Sequence, residues 1–396
     1  MKRRSRPQTD ALFHAKDPYD HAGTSQAFLA AVRENAAELA RLYPWYARLL
    51  AEEDCVIETI QTEGDLYRLP PFSTLFFKRF DVKPEAGEGK SGRRLPALTV
   101  TSSGTSGRKS HIHIDAATAA RAVPMVINFF RFHGLISARP HVAVLLSWPP
   151  KGKDVPGGMR TASGAAHLTP VVKKIYALKK TADGRIVPET EKLVKLAAAA
   201  DKNPFPVRFV GFPAVLSGLL AEMEARNLSL SLPAGSRVLL GGGWKGSVPA
   251  TPDQTERETG RAFGADDRPE ETPDAALRRR IQERLGIPAD HVHEFFSAVE
   301  HPVPYLKCPC GHFHIPVYSR VTARDPVTLT PLPDGEEGIL DFITPLVSGQ
   351  PLLSVMTDDL GCVCHTPCPC GCRAPYFDLH GRAGAAGITT CAQSTG

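Results

Sequence analysis

The sequence lacks any apolar run long enough to cross a membrane. No stretch of the 396 residues approaches the roughly 18 consecutive apolar residues that a spanning helix needs. The basic start, Met1–Arg6, is followed by polar residues rather than by the apolar core of a secretory signal. We therefore expect a cytoplasmic protein.

A strong charge of either sign is also missing. The formal net charge of +5 is mild for this length, whereas a nucleic-acid-binding domain shows a concentrated basic face. We expect no nucleic-acid partner. The 35 prolines and 33 glycines argue against a helical bundle and favour many turns and extended connections.

Cysteine is scarce over the first three hundred residues, where Cys55 stands alone. Seven of the nine cysteines lie between Cys308 and Cys372, and Cys391 lies near the end. In a cytoplasmic chain, such clustering beside histidines favours metal binding over disulfides. The uneven distribution therefore assigns a metal site to the last hundred residues.

The sequence Cys-Pro-Cys-Gly occurs twice, at 308–311 and at 368–371. Two such knuckles supply the four sulfur or nitrogen ligands of a tetrahedral zinc ion. We predict a structural zinc site formed by Cys308, either Cys310 or His314, Cys368 and Cys370. The remaining cysteines, with His312 and His365, leave a second ion open.

Small hydroxyl residues, two glycines and a basic pair are concentrated in Val100–Ser110. Gly104 and Gly107 allow backbone to approach a ligand closely, and successive N–H groups in such a turn form an anion site. The Walker spacing Gly-x-x-x-x-Gly-Lys-Ser/Thr is absent. We interpret the run as a polyphosphate-binding loop, with a polar surface turn as the alternative.

Strands alternate with helices over residues 98–300, which predicts an α/β core. We expect strands at Leu98–Thr101, His141–Ser147, Arg237–Leu240 and His291–Phe296, and helices at Ala116–Leu135, Ala214–Arg226 and Pro273–Leu285. Before this core, residues 1–23 are expected to be poorly ordered, with Thr24 or Ser25 capping the first helix.

Four segments follow from this pattern. They are an N-terminal helical segment (1–65), the α/β core that binds nucleotide and acid (66–300), a small β-rich subdomain with the Cys/His metal site (301–382) and a flexible tail (383–396). The β-rich subdomain is predicted from the short strands and Pro/Gly turns after residue 303.

Several motifs, in order, resemble those of adenylate-forming enzymes, the superfamily of the acyl-CoA synthetases. They are the Ser/Gly loop, Gly211-Phe212-Pro213, Gly241-Gly242-Gly243-Trp244-Lys245, Phe296–Glu300, Thr357–Gly361 and Gly381-Arg382. The Leu-Pro-Pro-Phe opening at 69–72 and the Gly-Gly-Trp-Lys element are most similar to the acyl-protein synthetases of bacterial bioluminescence, with phenylacetate–CoA ligases as cousins. The resemblance covers roughly residues 65–385.

The resemblance implies an AMP-forming acid–thiol ligase that uses ATP and Mg²⁺. It makes Glu300 the Mg²⁺ ligand and Asp359 the acceptor of the ribose hydroxyls, and it makes Lys109, Arg382 and Cys391 catalytic candidates. The phosphates and adenine would be held by Ser102, Ser103, Gly104, Thr105, Ser106, Gly107, Arg108, Lys109, Gly241, Gly242, Gly243, Phe296, Ser297 and Arg382.

Two departures from the family pattern stand out. Position 297 is Ser where relatives carry Gly, and the chain ends soon after Arg382, where relatives continue with a mobile C-terminal domain that supplies a lysine. We expect that domain to be missing or vestigial. Lys245 or Arg382 would then replace the lysine, adenylation would be slow, or the protein would only bind nucleotide.

The identity of the acid is open, and so is the thiol acceptor: Cys391 itself, a partner protein, a carrier protein or CoA. Two other functions remain as alternatives, an aryl or small-acid ligase and a non-enzymatic zinc module that binds a partner. A homodimer is also left open.

Overall fold

The computed structural model describes residues 7–83, 98–101, 109–149, 163–182, 185–189, 191–192, 194–195, 204–242 and 272–383. The α-helices in these ranges are α1 (Pro7–Leu12), α2 (His21–Leu42), α3 (Pro44–Glu52), α4 (Thr74–Arg79), α5 (Ala116–Phe132), α6 (Pro213–Ala225) and α7 (Pro273–Leu285). Short 3₁₀ turns occur at Ile57–Thr59, Glu63–Arg68 and Ala289–His291.

The strands alternate with these helices in the first part of the chain and follow one another in the last part. They are β1 (Phe72–Ser73), β2 (Leu98–Thr101), β3 (His111–Ile114), β4 (His141–Leu146), β5 (Val171–Tyr176), β6 (Leu178–Lys180), β7 (Ile186–Pro188), β8 (Val207–Gly211), β9 (Arg237–Gly241), β10 (Val292–Phe296), β11 (Tyr305–Leu306), β12 (Phe313–His314), β13 (Arg320–Arg324), β14 (Gly338–Ile343), β15 (Ser354–Cys364) and β16 (Tyr376–Arg382).

The chain forms two compact units. One comprises residues 1–136 and 296–387, and the other comprises residues 137–295 and 388–396. The predicted α/β class is confirmed, whereas the segment boundaries at 65, 300 and 382 remain predictions. Among the helices of the described ranges, none is both long and apolar enough to cross a membrane.

The first unit is built on an antiparallel sheet with the order β12-β16-β15-β14-β13, and β1 adds to β15 in parallel. A buried aromatic group lies on this sheet, in which Phe342 and Phe377 contact Phe296 at centroid distances of 5.4 and 5.6 Å. Helix α2 is tied to the same unit because Asn35 Nδ2 donates to the carbonyl oxygens of Pro345 and Val347. These contacts fix the strands that carry the predicted site residues.

The start of the first unit differs from expectation. Helix α1 occupies part of the stretch expected to be poorly ordered, and α2 is capped by Asp20, whose side chain accepts from the Gly23 N–H at 2.9 Å. The predicted caps at Thr24 and Ser25 were therefore wrong. Asp20 is itself a favoured N-cap residue, and the helix begins about one turn earlier than predicted.

The second unit contains a parallel sheet with the order β10-β9-β8-β4-β5. Apolar side chains of α6 and α7, among them Leu216, Leu220 and Ile281, pack with Phe209 and Val238 of the strands in one buried core. Parallel strands buried in this way have nearly continuous apolar sequences. The strands at His141–Leu146 and Arg237–Gly241 could therefore be predicted from the sequence. The carboxyl ends of such strands are where α/β proteins bind ligands.

Candidate active site and metal centre

The Ser/Gly run lies between two paired strands in the sequence. Strands β2 and β3, which precede and follow it, pair antiparallel, with Thr101 opposite His111. Ser102–Arg108 lie outside the described residues. Lys109 is exposed at the end of the run, and Ser110 is fully buried.

Ser110 is joined directly to Glu300. Its hydroxyl donates to Glu300 Oε1 at 2.5 Å, across 190 residues of sequence. Glu300 is only 5% exposed, and burying a polar group is costly unless it has a hydrogen-bond partner. The structure therefore links the end of the predicted phosphate loop to the predicted Mg²⁺ ligand.

Ser110 was not among the predicted site residues. The signal in the sequence was its place at the end of the hydroxyl-rich run, immediately before the strand His111–Ile114. Its partner lies in a distant segment, so no spacing in the sequence could reveal the contact.

Asp359 and Arg382 form a cross-strand pair. They are register partners on β15 and β16, and Arg382 Nε donates to Asp359 Oδ1 at 2.8 Å. Asp359 is buried at 6% exposure. The two predicted nucleotide-binding residues are thus brought together, and a ribose bound to Asp359 would share the carboxylate with Arg382.

Phe296 and Ser297 stand at the end of β10. Phe296 is half-buried and stacks on Phe342 with an interplanar angle of 25°. Ser297 is exposed. One face of the Phe296 ring therefore belongs to the core of the first unit, which holds the ring in a fixed orientation.

In the second unit, Gly241 and Gly242 lie at the carboxyl end of β9. Gly242 has φ +85°, and a Cβ there would lie 2.9 Å from the ring of Phe212. A left-handed φ together with this close approach requires glycine. Glycine at position 242 is thus a structural requirement, whether or not adenine binds beside it. Gly243, Lys245 and Cys391 lie outside the described residues.

Cys308, His314, Cys368 and Cys370 form a compact group in which the four ligand atoms lie within 4.8 Å of one another. The two sulfurs of Cys308 and Cys368 are 3.8 Å apart, and His314 Nε2 is 3.2 Å from Cys370 Sγ. Tetrahedral zinc with Zn–S bonds of about 2.3 Å separates two sulfurs by about 3.8 Å. The donor set and its spacing fit zinc.

The surroundings of this group also suit a metal. His314 Nδ1 donates to the Ala374 carbonyl oxygen at 3.2 Å, which leaves Nε2 as the ligand nitrogen. Burial raises the pKa of Cys308, and it raises the pKa of Cys368 to about 12. Without a cation both thiols are protonated near neutral pH. Cys310 is exposed and lies outside the group.

Comparison with known proteins finds one family match and one curated relative. Residues 268–396 match the family described as acyl-protein synthetase, LuxE. The long-chain-fatty-acid–luciferin-component ligase of Aliivibrio fischeri is 23% identical over 264 residues, which are 66% of this chain and 62% of that protein. The match thus spans less than two thirds of the relative's length.

Two crystal structures of 2-hydroxyisobutyryl-CoA ligase share the fold. An open conformation in complex with 2-HIB-AMP and CoA has a TM-score of 0.63 at 16% identity and covers 93% of this chain and 76% of that one. A postadenylation state with 2-HIB-AMP has a TM-score of 0.64 at 16% identity, with 93% and 69% coverage. The predicted resemblance to adenylate-forming enzymes, and among them to acyl-protein synthetases, is confirmed.

Proposed function

We propose that this chain activates a carboxylic acid with ATP and passes the acyl group to a thiol. The buried Ser110–Glu300 hydrogen bond carries the proposal, because it joins the phosphate-loop segment to a carboxylate suited to a divalent cation. The adenylate-forming fold and the acyl-protein synthetase match of residues 268–396 support it.

The reaction has two displacement steps. An oxygen of the acid attacks the α-phosphorus of ATP, and the bond to the β-phosphate breaks to release pyrophosphate. A thiolate then attacks the acyl carbon, and AMP leaves with the electrons of the broken C–O bond. Both steps move anionic groups, so catalysis rests on positioning and on neutralising charge.

We assign the following roles within this scheme. Glu300 supplies an oxygen ligand for Mg²⁺, which when bound neutralises phosphate charge. Ser110 orients Glu300, and Lys109 with residues 102–108 holds the outer phosphates. Asp359, held by Arg382, accepts the ribose hydroxyls. Phe296 contacts the adenine.

The proposed reaction has two forms, which differ in the thiol that accepts the acyl group. Acyl-protein synthetase chemistry delivers the acyl group to a protein thiol, either Cys391 or a cysteine of a partner protein. An acid ligase delivers it to CoA or to a carrier protein. The acyl-protein synthetase match over residues 268–396 favours the first form.

The Cys308–Cys370 group is assigned to a structural zinc ion. Four protein ligands close a tetrahedral site and leave no position for substrate. Structural zinc in small sites contributes an apparent binding free energy of about 10–16 kcal/mol. Cys308 and His314 lie just before and in β12, and Cys368 and Cys370 lie in the segment before β16, so the ion would clamp these two segments together.

The test is adenylation on purified protein. Fatty, aromatic and amino acids are supplied one class at a time with ATP and Mg²⁺, and exchange of labelled pyrophosphate into ATP is measured. We expect exchange with one class of acid. ATP binding without exchange for any acid would overturn the proposal.

The acceptor is tested separately with the acid that supports exchange. Label retained on the protein after denaturation, and absent in Cys391→Ser, would identify Cys391. Label on CoA or on a carrier protein would identify the acid-ligase form.

A further inference from the structure

A second group of metal-ligating side chains lies on β15 and β16. One ligand atom from each of Cys362, Asp378 and His380 lies within 4.8 Å of the others. The group shares no residue with the Cys308–Cys370 group, and the proposed adenylation does not use it. We propose that Cys362, Asp378 and His380 bind a second zinc ion, with a fourth coordination position left for water.

The register of the two strands brings these residues together. Cys362 is the direct partner of Asp378, and the pairing shifts between Leu360 and Gly361, which makes His380 the extra residue of a bulge on β16. A bulge re-aims the side chain of the extra residue. The irregular strand therefore turns His380 toward Cys362 instead of leaving it in a regular position along the strand.

Gly361 permits this close approach of the two strands. A Cβ at position 361 would collide with the backbone oxygen of Asp378. The glycine thus allows the backbone of β16 to press against β15 beside the bulge. Glycine at position 361 is therefore required by the local arrangement of the ligands, independently of any nucleotide.

The separation of the ligand atoms suits a single ion. Cys362 Sγ lies 3.8 Å from His380 Nε2. With Zn–S of about 2.3 Å and Zn–N of about 2.0–2.1 Å, tetrahedral geometry separates sulfur and nitrogen by about 3.6 Å. This sulfur and this nitrogen therefore need to move by only a few tenths of an ångström to share one ion.

Hydrogen bonds around the group orient the ligands. Glu337 Oε2 accepts from His380 Nδ1 at 2.5 Å, and Asp378 Oδ1 accepts from His312 Nδ1 at 2.7 Å. A carboxylate on Nδ1 places the lone pair of the neutral ring on Nε2, the atom that faces Cys362. Histidines that bind zinc make this kind of bond to a carboxylate.

The donor set also indicates the kind of ion. One thiolate, one imidazole and one carboxylate form a mixed ligand set. This set suits zinc or cobalt better than magnesium, which prefers oxygen ligands. Three protein ligands with one open position differ from the closed set at Cys308–Cys370. We therefore expect the second ion to bind more weakly than the first.

The experiment counts bound zinc in the full chain. Purified protein is stripped with chelator, reloaded with zinc, desalted and analysed by mass spectrometry. We expect two equivalents in the unaltered chain and one in His380→Gln, whose side chain is 42% exposed. Glu337→Gln should keep the site but weaken its zinc affinity by about 10- to 100-fold.

A matched control is His365→Gln. His365 is an exposed histidine whose Nδ1 donates to an Asp334 carboxylate at 2.6 Å, but it lies outside both groups. This variant should retain two equivalents. A single equivalent in the unaltered chain, or two equivalents in His380→Gln, would overturn the second site.

Cobalt provides an independent readout. With four thiolates bound in total, three from the Cys308–Cys370 group and one from Cys362, Cys362→Ser should lower the thiolate-to-cobalt absorbance by about a quarter. An unchanged absorbance would show that Cys362 does not bind the ion.

Discussion

Replacing Ser110 by alanine removes the hydroxyl that donates to Glu300 Oε1 at 2.5 Å. Ser110 is fully buried and Glu300 is 5% exposed, so bulk water does not replace the lost donor. A hydrogen bond to a charged group contributes about 1.5–3 kcal/mol. Since about 1.36 kcal/mol corresponds to a tenfold change in rate, we expect kcat/KM for pyrophosphate exchange to fall between about 10-fold and about 150-fold.

Two variants separate this role from general stability. Ser110→Thr keeps a hydroxyl and should retain most of the exchange activity. Ser354→Ala removes an equally buried serine that donates to Asp341 at 2.8 Å in the same unit, so it should lower the free energy of unfolding without lowering exchange. Exchange by Ser110→Ala equal to that of the unaltered protein, or an equal loss of exchange in Ser354→Ala, would contradict this role for Ser110.

Three further outcomes are expected. Gly242→Ala, strained at φ +85°, should lower the free energy of unfolding in urea by roughly 1–3 kcal/mol, whereas Gly218→Ala, with open space around it in α6, should not; equal midpoints for the two variants would refute this. Cys370→Ser should lose one equivalent of zinc and Cys310→Ser none, by metal analysis; the reverse would place Cys310 among the ligands. Burial lowers the pKa of His301 to about 3, below the value of about 6.5 expected in the unfolded chain. The unfolded chain therefore takes up the proton first as pH falls, and the stability that neutral His301 provides above about pH 6.5 is lost toward pH 3. The difference between the unfolding free energies of the unaltered protein and of His301→Gln should change by about 1.36 kcal/mol per pH unit between pH 6 and 4. Parallel pH curves would contradict this.

Helices with complete local signals were predicted well from the sequence. Helix α7 has Thr272 as its cap, Pro273 in its first turn and Gly286 in the left-handed conformation after its end. Each of these signals acts within one turn of the helix, so neighbouring residues are enough to locate its ends.

Helix α1 shows why other elements were missed. Thr9 Oγ1 donates to Glu34 at 2.8 Å, and Arg121 Nε donates to Asp10 at 2.8 Å. The partners lie 25 and 111 residues away. A helix of six residues is marginal alone, so its stability comes from contacts that no local pattern records.

The sites divide in the same way. The repeated Cys-Pro-Cys-Gly indicated the Cys308, His314, Cys368 and Cys370 cluster, but the inclusion of His314 instead of Cys310 depends on β12, which brings His314 to Cys370. The Ser110–Glu300 contact depends on tertiary packing. The Cys362, Asp378 and His380 group depends on strand register and a bulge, which the sequence does not specify.

Glu300 is the residue on which the proposed adenylation most depends. The most direct measurement is pyrophosphate exchange with the responsive acid class, compared between the unaltered protein, Glu300→Ala and Glu300→Gln, with far-ultraviolet circular dichroism to verify folding. We predict that both folded variants lose exchange at least as severely as Ser110→Ala. Undiminished exchange in folded Glu300→Ala would contradict the assignment of Glu300.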